Sequence, residues 1–140
     1  MGPFGTGAAP HRLPALGLNT APRELLHDPH VTNYTEAIFV PPAGSSFTID
    51  LDKGTHWKLR TDGNLTVAFP AVRPAFSKSF ILEIEWGGTH TMTWPATSIL
   101  RWPAATAPTV TGAINKADVF AFFSNGVIWS GATVGLNYVW

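Results

Sequence analysis

The sequence has no cysteine. Disulfides, thiolate zinc sites and thiol catalysis are thereby excluded. Charge is scarce: 13% of the 140 residues are charged, and nine basic side chains balance nine acidic ones. Nucleic acid is excluded as a main partner, because phosphate binding needs clustered Lys and Arg. The same balance argues against a polybasic membrane anchor. No apolar run is long enough to span a bilayer, so membrane insertion is not expected. The opening stretch MGPFGTGAAPHRLPALGL has no basic start followed by an apolar block, so no secretory leader is expected. Heptads are missing too, which argues against a coiled-coil shaft. What is present is apolar and β-preferring: 45% hydrophobic residues, six Trp and nine Phe, with 13 Gly and 12 Pro as punctuation. This length implies one domain with one real core. A net charge of zero favours association, which suits a chain that works inside an assembly.

Residues 1–35 differ from the rest. Pro3, Pro10, Pro14, Pro22 and Pro29 recur at short intervals among Gly2, Gly5, Gly7 and Gly17. Proline at that density forbids a long helix or a central strand. One helical turn fits, capped by Thr20, running over Ala21–Leu26 and stopped by Pro29. The remainder reads as an extended docking arm. Its apolar residues Phe4, Leu13, Leu16, Leu18, Leu25 and Leu26 are expected to lie on a neighbouring subunit or capsid surface.

From Glu36 to Trp140 the pattern has period two. Phe47, Ile49 and Leu51 alternate with polar residues, as do Trp57 and Leu59, Leu65, Val67 and Phe69, and Phe80, Leu82, Ile84 and Trp86. His90, Met92 and Trp94, then Val127 and Trp129, and finally Leu136, Tyr138 and Trp140 continue it. Such alternation is the mark of half-buried strands. The run Asp118–Phe123 is nearly all apolar and is expected to be covered on both faces. Asp62-Gly63, Gly87-Gly88 and Asn125-Gly126 each separate two runs and tolerate the positive φ of a tight hairpin. Asp52-Lys53-Gly54 gives a longer turn. Trp94-Pro95 and Trp102-Pro103 each end a strand, since proline cannot donate to a ladder. Residues 103–116 form a connection too long for a tight hairpin. The expected fold is all-β: an antiparallel sandwich or jelly-roll-like domain over 36–140, preceded by the Pro-rich arm.

Candidate chemistry is thin. Glu83 and Glu85 share one strand face, but Lys58, Arg60 or Lys78 could neutralise them across strands, so a solvated or interface role is expected. His27 and His30 could hold a metal only with a third ligand that no spacing supplies. Ser130 lacks a nucleophile elbow, Ser45 and Ser46 have no placed base, and Asp50 and Asp52 lack the calcium-loop pattern. No catalytic residue, metal site or cofactor is expected. Trp57, Trp86, Trp94 and Trp129 fall in phase with other apolar residues and are expected in the core. Trp102 and Trp140 remain as a subunit contact or a ligand loop, since exposed Trp anchors interfaces and stacks on sugars. Trp140 is expected at a subunit contact.

An ordered set of motifs carries a family resemblance. It runs through Phe80-Ile81-Leu82-Glu83-Ile84, Gly88, Thr91-Met92-Thr93-Trp94-Pro95 and Ile99-Leu100-Arg101-Trp102. It continues in Ala107-Pro108-Thr109-Val110-Thr111, Asn115-Lys116-Ala117-Asp118-Val119 and Trp129-Ser130-Gly131. Together these resemble a bacteriophage structural domain found at the C-termini of tail-fibre and related virion proteins. The resemblance spans residues 46–138. It departs from the usual pattern at Glu85-Trp86-Gly87-Gly88, where a polar Gln-Asp pair is common, and in its short Asn125-Gly126 hairpin. The resemblance implies a β-structured, non-enzymatic virion component, commonly a homotrimer, and brings no catalytic residues with it. Two placements follow. A head decoration or cement protein would dock through its arm on phage capsid proteins at the virion surface. A tail-fibre or baseplate tip would present loops to a host surface glycan. The missing shaft and the short apolar arm put decoration first.

Overall fold

Alternating apolar residues need a sheet with one covered face, and the computed structural model, which describes residues 35–140, supplies it. The arm residues Phe4, Leu13, Leu16, Leu18, Leu25 and Leu26, with His27 and His30, lie outside the described residues. Eight strands follow in order: β1 (Ile38–Phe39), β2 (Gly44–Thr48), β3 (His56–Ala68), β4 (Lys78–Trp86), β5 (Met92–Thr93), β6 (Leu100–Arg101), β7 (Lys116–Ser124) and β8 (Trp129–Val139). A single turn at Pro103–Ala105 has left-handed backbone at Ala104 and Ala105, and no helix occurs among the described residues. The fold is all-β.

The sheet is mixed, which corrects the antiparallel expectation. Its main path runs β1-β3-β4-β7-β8-β6, and β2 and β5 also pair with β3. Among the described residues, only β4–β7 and β7–β8 are antiparallel. Strand β3 lies parallel to β1, β2, β4 and β5, and β6 lies parallel to β8. Period two fixes which face a residue takes, not which strand lies beside it.

Strand β3 takes part in two ladders. Residues His56–Arg60 align with Ile81–Glu85 of β4. Beyond them, Thr66–Ala68 align with Ser46–Thr48 of β2, and Leu65 and Thr66 align with Met92 and Thr93 of β5. The register to β2 slips between Gly44↔Thr61 and Ser46↔Thr66. Asp62-Gly63 therefore sits in an irregularity of one continuous strand, not in a hairpin. Neither Asp62 nor Gly63 takes a positive φ, so the pair passes through the irregularity in ordinary extended backbone. Gly87-Gly88 likewise joins two strands that do not pair with each other. It leads from β4 to β5, which pairs with β3. A Cβ on Gly87 would collide with the Thr61 carbonyl oxygen.

The third expected hairpin forms. Ser124 pairs with Trp129, which leaves a four-residue loop, and Asn125 Oδ1 accepts from the amides of Val127 (3.0 Å) and Ile128 (3.1 Å). The Asp52 turn also forms, with the Lys53 amide donating to the Asp50 carbonyl at 3.1 Å.

The core draws on most of the alternating runs. Ile49, Trp57, Leu59, Leu65, Val67, Phe80, Leu82, Ile84, Trp86, Leu100, Phe120, Phe122 and Trp129 are buried together. Burying each large apolar side chain contributes about 1.5–3 kcal/mol before ordering costs. Trp57, Trp86 and Trp129 occupy the core as expected, and Trp94 packs against it half-buried. Across Asp118–Phe123, strand β7 is fully buried on one face and only partly covered on the other, where Val119 and Ala121 are half-buried, so the expected cover on both faces is incomplete. Phe120 and Phe122 are buried, while Phe123, on the other face, is 51% exposed.

Candidate functional site

Two regions gather the tryptophans that sequence reasoning left open. The first is built by the paired Trp-Pro strand ends. Pro95 stops β5 and Pro103 stops β6, and the Ile99 and Leu100 amides both return to the Ala96 carbonyl, at 2.8 and 3.0 Å. This turn brings Trp94 and Trp102 together, with ring centroids 4.9 Å apart and planes at 68°. Both rings also pack edge-on against Phe120, at 5.0 Å for Trp94 and 6.1 Å for Trp102. Trp102 lies over Gly131, where a Cβ would come within 2.7 Å of the indole. Only glycine permits that approach.

Beside the two rings is a hollow of about 360 Å³, lined by Trp94, Pro95, Thr97, Leu100, Arg101, Trp102, Ala105 and Ala107. Arg101 is its one charged residue. The Arg101 Nε donates to Ser130 Oγ at 2.7 Å, which fixes the guanidinium plane. Ala105, which lines the hollow, and Ala104 before it both adopt left-handed backbone, with φ of 56° and 54°. Each costs an L-residue about 1–2 kcal/mol.

The second region is the C-terminal strand. The Trp140 Nε1 donates to the Lys116 carbonyl at 2.8 Å, and the Arg60 guanidinium lies 4.5 Å from its ring centroid. The indole thus has a seat on its own chain, yet 38% of Trp140 is exposed. Val134, Leu136, Tyr138 and Val139 are exposed along the same strand. Among the described residues, the outer edge of β8 meets only β6, at Trp129 and Ser130.

Glu83 and Glu85 do share a face, and a side-chain nitrogen of β3 meets each. Lys58 Nζ lies 2.9 Å from Glu85 Oε2, and His56 Nε2 lies 3.4 Å from Glu83 Oε1. The hydrogen bond and charge of Glu85, aided by the charge of Glu83, raise the Lys58 pKa above 10.5 against a small opposing effect of burial. Glu85 is thus paired with a lysine and Glu83 is hydrogen-bonded to an imidazole. Among the described residues no group of three or more His, Asp or Glu could hold a metal.

Sequence reasoning missed Asp118, read only as the start of an apolar strand. Its carboxylate is fully buried. Oδ1 accepts from Thr111 Oγ1 at 2.6 Å and the Asn137 amide at 3.0 Å. Oδ2 accepts from the Thr111 amide at 2.7 Å and Trp86 Nε1 at 3.0 Å. One side chain thereby ties the 103–116 connection to β4, β7 and β8. The one available signal was an acid within an apolar run, which demands buried donors. Arg101 was missed as well, because its contribution depends on a turn that places two distant tryptophans together.

No family model, curated protein or solved structure matches the chain.

Proposed function

We propose that the chain is a non-enzymatic structural protein of a bacteriophage virion, a homotrimeric head decoration protein that docks through its N-terminal arm and stabilises the capsid. The motif resemblance supports the phage setting. The observation that carries the assembly role is strand β8. Residues 129–140 contain no charged side chain, and Val134 and Val139 are 55% and 78% exposed. Free-standing proteins blunt such edges with lysine, proline or a covering element. An uncharged, apolar-studded edge suits a chain whose working state is an oligomer.

Light scattering on the full chain tests this. The trimer reading expects a mass three times the 15.1 kDa of one chain. A stable monomer at high concentration overturns it. The hollow at Trp94 and Trp102 favours a second reading, in which the chain is a tail-fibre or baseplate tip that contacts a host glycan.

A further inference from the structure

We propose that the hollow between Trp94 and Trp102 binds a carboxylate-bearing saccharide, with the sugar face on indole and the carboxylate on Arg101. The proposal gives the second reading a ligand class but does not rest on the phage setting. Its size, about 360 Å³, falls in the range of small-ligand sites. Its composition does too: apolar walls with a few convergent polar groups. Indole offers a flat apolar surface to the C–H face of a pyranose ring. With the two planes at 68°, one ring can carry the sugar while the other walls it.

Charge selects the acidic class. Arg101 lines the hollow, and no Asp or Glu does. With Nε held by Ser130, the terminal nitrogens keep the fork geometry that pairs with a carboxylate. A peptide is the less suitable occupant. Strand addition needs a ladder, and β6 offers only Leu100 and Arg101.

The site is also preorganised. Trp102 is seated on Gly131 and the core aromatics, so its ring need not be ordered on binding. Ala105 at the rim, like Ala104 before it, stores backbone strain, a feature concentrated at ligand clamps.

The test is saturation-transfer NMR and tryptophan fluorescence on the full chain. The probes are a galacturonic acid trisaccharide, a sialylated trisaccharide, neutral maltotriose and an acidic tyrosine-containing peptide. Binding of either acidic sugar, at least tenfold tighter than maltotriose, is expected. Arg101→Gln is expected to weaken it at least tenfold, and Arg101→Lys to restore part of it. Arg101 is exposed, so neither variant should disturb folding, and near-UV circular dichroism checks this. No acidic-sugar binding at millimolar concentration overturns the proposal, as does equal binding by Arg101→Gln. Binding of the peptide alone overturns it in favour of a protein partner. None of these outcomes bears on the trimer mass, so the two proposals fail separately.

Discussion

Asp118 shows how much one side chain can organise. Its four accepted hydrogen bonds come from Trp86, Thr111 and Asn137, and it is fully buried. Asp118→Ala leaves those donors without an acceptor and is expected to cost more than about 3 kcal/mol, read by urea denaturation. A loss below about 1 kcal/mol would mean that water replaces the carboxylate. Lys58 makes a smaller, pH-dependent contribution. Its pKa is raised in the fold by Glu85, so its stabilisation is fully present below 10.5 and is lost as pH rises through the raised value. The Lys58 side chain is 37% exposed, so the pair is worth no more than about 1 kcal/mol. Lys58→Met is expected to flatten that alkaline limb of the stability profile. An unchanged limb would assign it to other groups.

Strand β8 is the element on which the assembly role turns. Lysine at Val134, Leu136 and Tyr138 together would place three positive charges on each copy's exposed strand. Light scattering is expected to report monomers, with the β-domain still folded because these positions lie outside the buried cluster. An intact trimer would move the contact elsewhere. Strand positions were largely legible in the sequence: Phe80, Leu82, Ile84 and Trp86 alternate and are all buried. Strand partners were not. The parallel pairing of β3 with β4 leaves no trace in a period-two pattern, and Asp62-Gly63 looks the same in a bulge as in a hairpin. The Trp-Pro echo was legible as two strand ends. That Trp94 and Trp102 meet beside Arg101 depends on the turn returning to the Ala96 carbonyl, which alternation does not encode.

At the scale of the whole molecule, every member of the buried cluster among the described residues lies between Ile49 and Trp129. Deleting residues 1–35 is therefore expected to leave the β-domain folded, with near-UV circular dichroism retained, while particle binding is lost. Full-affinity binding by the truncated chain would refute arm docking. The virion role itself is tested most directly by immunogold electron microscopy of intact phage particles, with an antibody raised to this protein. The account predicts label spread over the head. Label confined to the tail would contradict the decoration reading and favour the receptor tip, and particles with no label at all would contradict a virion role.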